Sequence, residues 1–197
     1  MKKKVCILYT GGTIGMVPTD HGYEPKKNYF QTLLDDISQL RHSEMPDWDL
    51  DSSNMAVEQW TAIGKEIQMR YNAYDGFVVL HGTDTMSYTA SALSFMLEGL
   101  KKPVVLTGAQ IPLCELRSDG RDNLINSIII AAEGKANEVS LYFAGKLLRG
   151  NRSTKASADD LSAFSSPNYP PLANVGIDIH YNDQALGLPS QQETFHL

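Results

Sequence analysis

An apolar run, Val5-Cys6-Ile7-Leu8, breaks off in Tyr9-Thr10-Gly11-Gly12-Thr13-Ile14-Gly15. A short unbroken apolar run reads as a strand buried on both faces, as in parallel sheets flanked by helices. The two glycines then permit a sharp turn and a close approach of the backbone to its neighbour. Thr13 stands just past that turn, at the strand's carboxyl end, where open α/β sheets hold their ligands. A hydroxyl so placed can act as a nucleophile if a base lies nearby. Taken alone, the stretch also fits an ordinary glycine-rich turn.

The same design recurs. Asp75-Gly76-Phe77-Val78-Val79-Leu80 leads into His81-Gly82-Thr83-Asp84-Thr85. A third run, Pro103-Val104-Val105-Leu106, ends in Thr107-Gly108-Ala109-Gln110, and a fourth covers 138–144 with Val139, Leu141 and Phe143 alternating. Between them lie stretches of helical period: 57–71, a helix running to Leu97 with Leu93, Met96, Leu97 and Leu100 on one face, and one carrying Leu124, Ile128 and Ala132 that stops at Gly134. Strand alternating with helix predicts an α/β fold, a three-layer sandwich around a mostly parallel sheet. Asp84 or Thr85 is the expected cap of the helix that follows it, and Asp51-Ser52-Ser53-Asn54 of the helix from 57. Capping accounts for one polar residue in the second turn, not for His81, Thr83, Asp84 and Thr85 together.

Other segments read as follows. Residues 16–27, broken by Pro18, Gly22 and Pro25, are expected to be an exposed, mobile loop. Tyr23 within it is either part of a lid or a locally packed turn residue. Residues 29–40 carry Phe30, Leu33, Leu34, Ile37 and Leu40 at the spacing of an amphipathic helix. Lys155 follows the fourth strand in Arg149-Gly150-Asn151-Arg152-Ser153-Thr154-Lys155-Ala156. It is solvated by default, but a base if it is desolvated beside the two threonines. Residues 182–197 are polar and read as a linker or frayed end.

Composition narrows the function classes. The 197 residues carry a net charge of -6, without the basic stripe of a nucleic-acid binder. Lys2, Lys3 and Lys4 imitate a signal peptide, but the apolar run behind them is too short for one. No stretch reaches the ~20 apolar residues of a membrane span. Cys6 and Cys114 suggest neither a disulfide framework nor a metal site. A cytoplasmic protein is the expectation.

Taken together, Thr10-Gly11-Gly12-Thr13-Ile14, Asp51-Ser52-Ser53, His81-Gly82-Thr83-Asp84-Thr85 and the Lys155 loop resemble the bacterial-type L-asparaginases, most nearly their cytoplasmic type I branch. The resemblance runs from Lys4 to about Ile179, and the first and third motifs together are highly specific. It implies that Thr13 is the nucleophile attacking the side-chain amide of L-asparagine. Tyr23 is the matching lid tyrosine that hydrogen-bonds it. Thr83, Asp84 and Lys155 match a second triad, in which the lysine supports proton transfer through the threonine. Asp84 also matches the holder of the substrate's α-ammonium, and Asp51, Ser52 and Ser53 match the loop that holds its α-carboxylate. No metal or organic cofactor is implied. Full-length members are homo-oligomers, dimers or tetramers.

The chain departs from the pattern twice. Only Trp48-Asp49-Leu50 stands where the family carries a strand before the Asp-Ser-Ser loop. The family's smaller C-terminal domain is also expected to be absent, which divides the chain into a catalytic N-terminal domain, 1–181, and a tail, 182–197. A weak or inactive enzyme with poor solubility is the expectation for these residues alone. Two other readings stand beside hydrolysis: a non-catalytic fragment that binds amino acids or associates with full-length subunits, and an asparaginase-like amidotransferase subunit.

Overall fold

The computed structural model describes residues 3–25, 30–32, 55–187 and 195–197. The chain opens with β1 (Val5–Tyr9), a 3-10 turn (Thr13–Gly15), β2 (Met16–Thr19) and β3 (Gly22–Pro25). Then come α1 (Val57–Arg70), β4 (Gly76–Leu80), α2 (Met86–Met96), β5 (Val104–Thr107), α3 (Gly120–Glu133) and β6 (Val139–Phe143). β7 (Lys146–Arg149), β8 (Thr154–Lys155), β9 (Phe164–Ser165), β10 (Ala173–Val175) and β11 (Ile179–Tyr181) complete it.

The main sheet has seven strands in the order β1-β4-β5-β6-β7-β10-β11. β1, β4, β5 and β6 run parallel, and the last three extend the sheet by antiparallel pairing. Strand side chains alternate between faces, and the two cores follow from that alternation. Cys6, Leu8, Phe77 and Val79 pack with Ile63 and Ile67 of α1 and Leu93 of α2. Ile7, Val78, Leu80 and Val105 pack on the other face with Leu124 and Ile130 of α3. Helices therefore cover both faces, and the expected three-layer α/β sandwich is what the chain forms. Each fully buried Leu or Phe contributes roughly 1.5–3 kcal/mol, so these two layers hold the sheet. Covering on both sides also explains β6. Its alternation suggests one wet face, yet all five residues are buried, because Tyr142 fills the α3 side while Val139, Leu141 and Phe143 fill the other.

The parallel register places Tyr9 beside Leu80 and Leu80 beside Thr107. The turns after β1, β4 and β5 consequently emerge side by side. Asp75 pins the register at the opposite end. Its carboxylate accepts from Lys4 N at 2.8 Å and Lys3 Nζ at 3.1 Å. The Lys4 amide bond, with Lys3 behind it, holds that carboxyl below its ordinary pKa. Lys3, which imitates a signal sequence, is thus paired with the second strand.

Several expectations need correction. Residues 16–25 are a β-hairpin, β2 against β3, rather than an irregular loop. Pro18 is accommodated because the hairpin is a separate two-stranded edge with no third strand to receive its missing N–H. The helix after the second turn is not capped by Asp84 or Thr85: Thr85 occupies the cap position without a side-chain capping bond, and Asp84 turns to Lys155 instead. The cap position of α1 is Ala56, whose N–H donates to Gln59 Oε1 at 2.8 Å, so residues 51–54 lie too early to cap it. Of the helix expected over 29–40, only residues 30–32 fall within the described part, and they are helical. There Phe30 stacks on Tyr9 with centroids 4.7 Å apart. The stretch Trp48-Asp49-Leu50 lies outside the described residues.

Part of the polar end is docked. Ala185 is buried, and its carbonyl accepts from Tyr169 Oη at 2.9 Å and Arg149 Nη2 at 3.0 Å. Phe195 stacks on Tyr71, and His196 bridges to Glu98. Aromatic and backbone contacts hold the described residues of this polar end, although its composition reads as linker.

Candidate active site

Gly11 and Gly12 both have φ of 92°, a region that only glycine enters without strain. This backbone carries the chain out of β1 and into the 3-10 turn that begins at Thr13. The turn leans directly on the one after β4. A Cβ added at Gly12 would lie 2.5 Å from Gly82 N and 2.6 Å from Gly82 Cα. Thr10 ties the two together, its N–H and its hydroxyl both donating to Leu80 O at 2.9 and 2.8 Å. The first and third motifs are thereby neighbours at the carboxyl ends of adjacent strands, as the sequence predicts. Thr13 itself is half-buried.

Thr83 sits at the centre of a polar cluster. Lys155 Nζ donates to Thr83 Oγ1 at 2.9 Å and to Asp84 Oδ1 at 2.7 Å. An ammonium only donates, so the Thr83 proton goes elsewhere, to Gln110 Oε1 at 2.9 Å. The lysine's side chain is 17% exposed and that of Asp84 92%. The two-residue ladder of β8 with β9 brings Lys155 here, across 72 positions of sequence from Thr83. A cleft opens beside the pair, lined also by Ser87, Tyr88, Thr154 and Ser157; Thr13 is not among its walls.

Gln110 is the residue that sequence reasoning passed over. Its amide donates to Ala158 O at 2.9 Å and Asp160 O at 3.2 Å while its oxygen holds Thr83. Asp119 in turn accepts the backbone N–H groups of Gln110 and Ile111. The available signal was positional: Thr107-Gly108-Ala109-Gln110 ends β5 in a glycine turn beside the other two.

Tyr23 lies on the exposed β3, and its hydroxyl donates to Glu115 Oε1 at 2.7 Å. That hydrogen bond, and the carboxylate's charge, hold the phenol above its ordinary pKa. A phenol has one proton, so in this state Tyr23 can meet Thr13 only as an acceptor. The loop bearing Glu115 is itself strapped to the Thr13 segment, Leu113 N donating to Ile14 O and Cys114 Sγ to Met16 O. Asp51, Ser52 and Ser53 lie outside the described residues.

His81 is wholly buried beneath the cluster. Desolvation presses its pKa down to about 4, although its bond to the Gly82 carbonyl works the other way. In the unfolded chain an ordinary histidine titrates near ~6.5. Between these values the unfolded state takes up a proton that the folded state refuses. Stability from this group is therefore complete above about 6.5 and is lost as the pH falls, by about 3 kcal/mol at pH 4 and below. Denaturant midpoints compared at pH 7 and pH 4 should show that loss, and a His81→Gln variant should lack it. An acid limb equally steep in the variant would assign the loss to other groups.

Fold and cluster define a class: a three-layer α/β protein with a half-buried threonine on a turn packed against the one that carries a lysine–threonine–aspartate cluster, at the carboxyl edge of its parallel strands. Residues 4–186 match the family described as asparaginase, N-terminal, and the chain belongs to the asparaginase family. It is 53% identical over 185 residues to L-asparaginase 1 of Escherichia coli (strain K12), covering 90% of this chain and 55% of that protein. It is 47% identical to an L-asparaginase of Dirofilaria immitis, over 90% of this chain and 35% of the relative. The structure of L-asparaginase I from Vibrio cholerae superposes with a TM-score of 0.89 at 45% identity, covering 100% of this chain and 61% of that one. The chain thus spans about half the length of the E. coli relative, and less of the nematode one. Among the described residues no helix is long and apolar enough to cross a membrane.

Proposed function

We propose that this chain is the catalytic domain of an amidohydrolase that converts L-asparagine to L-aspartate and ammonia. The observation that carries the reading is the Lys155 contact with both Thr83 and Asp84, on the turn packed against that of Thr13. An amide is a poor electrophile, so the site must activate a hydroxyl and stabilise the charge that develops on the carbonyl oxygen. Thr13 Oγ1 attacks the side-chain carbon of asparagine. The C–N bond breaks, the amide nitrogen takes up a proton and leaves as ammonia, and a β-aspartyl ester remains on Thr13. Water then cleaves the ester, returning a proton to Thr13 and releasing aspartate. Lys155 supports these transfers through Thr83, and Tyr23 serves Thr13 from the hairpin. The exposed carboxylate of Asp84 meets the α-ammonium, while Asp51, Ser52 and Ser53 hold the α-carboxylate. The reaction needs no metal or organic cofactor. The working form is a cytoplasmic homo-oligomer, as the resemblance implies.

The test is ammonia release from L-asparagine by purified residues 1–197, beside L-glutamine and a Lys155→Met variant. The variant should lose about 100-fold in kcat, equivalent to about 3 kcal/mol of barrier, with its far-ultraviolet spectrum unchanged. The same assay measures the slow turnover expected for these residues by themselves, and size-exclusion chromatography of the same sample measures their association. Amino-acid binding without ammonia release in any oligomeric form would favour the non-catalytic reading.

A further inference from the structure

The reaction above gives His81 no part, although it is buried against the residue that precedes Thr83. Its backbone N–H still donates to Thr107 O at 2.9 Å, so it continues the sheet. A histidine this deep needs both ring nitrogens satisfied. Nδ1 lies 2.8 Å from Gly82 O and Nε2 lies 2.9 Å from Thr89 Oγ1. A carbonyl only accepts, which puts the ring proton on Nδ1. Nε2 then accepts from the Thr89 hydroxyl, whose oxygen accepts from Trp60 Nε1–H at 3.0 Å. The bonds therefore run in one direction, from Trp60 on α1 through Thr89 on α2 to His81 and on to the Gly82 carbonyl.

That carbonyl shares one rigid plane with Thr83 N–H. Holding its oxygen holds the plane, and with it the direction in which the Thr83 side chain leaves the backbone. Gly82 has no side chain to restrict its own torsions. Its neighbours crowd it closely: a Cβ at Gly12 would lie 2.5 Å from Gly82 N, and one at Gly108 2.3 Å from the His81 carbonyl oxygen. We infer that His81 is a positioning residue, its Nδ1–H bond to the Gly82 carbonyl keeping the Gly82–Thr83 peptide turned so that the Thr83 hydroxyl stays between Lys155 and Gln110. Trp60 and Thr89 serve this by fixing the tautomer. The inference rests on the role given above to Thr83 and Lys155.

Two variants separate the ring's two bonds. In His81→Asn the amide nitrogen stands where Nδ1 was; in His81→Gln it stands where Nε2 was. The first readout needs no turnover: nitrogen-15 spectra of the His81 ring and of the Thr83 backbone amide. The second is kcat and KM for asparagine per folded protein. The wild-type ring should carry its proton on Nδ1. His81→Gln should displace the Thr83 amide signal and lower kcat about tenfold, the worth of one neutral hydrogen bond, with KM within about twofold. His81→Asn should restore the amide signal and recover most of kcat. A proton on Nε2, a Thr83 amide unmoved in His81→Gln, or equal disturbance in both variants would overturn the inference. If the wild-type chain releases no ammonia in any oligomeric form, the functional reading fails, and the amide signals alone decide the role of His81.

Discussion

Thr13→Ala is expected to lower ammonia release from L-asparagine by at least about 10³-fold, roughly 4 kcal/mol of lost barrier reduction. The substitution removes the one atom proposed to bond to the substrate and leaves the surrounding fold alone. Thr13 is half-buried at the start of a three-residue 3-10 turn, and alanine adopts that backbone freely. The melting temperature should therefore stay within a few degrees of wild type. Thr13→Ser, which keeps the oxygen, should keep measurable turnover. The measurement is steady-state ammonia release from Thr13, Ala and Ser forms at matched folded concentration. Turnover by the alanine form within tenfold of wild type would move the nucleophile elsewhere, with Thr83 the next candidate to examine.

Gly12→Ala should be strongly destabilising, although it only replaces a hydrogen by a methyl group. Two penalties combine there. Gly12 has φ 92° and ψ 172°, a region essentially closed to residues with a Cβ and costing about 1–3 kcal/mol to enter. The added methyl would also stand 2.5 Å from Gly82 N, 2.6 Å from Gly82 Cα and 2.8 Å from the His81 carbonyl carbon. All three are backbone atoms of a central strand's turn, so no side chain can swing aside. A loss of about 4 kcal/mol or more is expected, a large share of a typical 5–15 kcal/mol. Gly134 supplies the control. It also has positive φ, 69°, but a methyl there would meet nothing within 4 Å, so Gly134→Ala should cost only the left-handed conformation, about 1–2 kcal/mol. Urea midpoints of both variants test the comparison. Equal losses would show that backbone conformation, not the contact between the two turns, sets the cost.

These expectations differ in where their grounds can be read. Thr13, Thr83 and Asp84 are legible in the sequence because the signal is local: an apolar run, a glycine, then a hydroxyl, repeated on two strands. Parallel pairing of those strands follows from the helix between them, so their proximity is legible too. Lys155 is legible only as part of the combined resemblance. Taken singly, it is one more basic residue in a polar loop. The hairpin carrying Tyr23 was misread because Pro18 and two flanking breakers look like loop punctuation. Proline excludes only the interior of a sheet, and a two-stranded edge escapes that rule. The capping role expected of Asp84 failed for a related reason: a short acid near a helix start caps by default, unless a half-buried cation arrives from elsewhere.

What the sequence determined by itself is the order of the four parallel strands and the helices between them, the glycine turns and the identity of the threonines. Each depends on residues within a few positions of one another, through torsional preference and periodic burial. The tertiary structure alone decided two of the partners, Gln110 for Thr83 across 27 positions and Glu115 for Tyr23 across 92. It also decided that His81 is buried and neutral. Such pairings depend on which side chains the folded sheet brings within about 3 Å. No local propensity encodes that distance, because it exists only once both cores have packed and the three turns stand side by side.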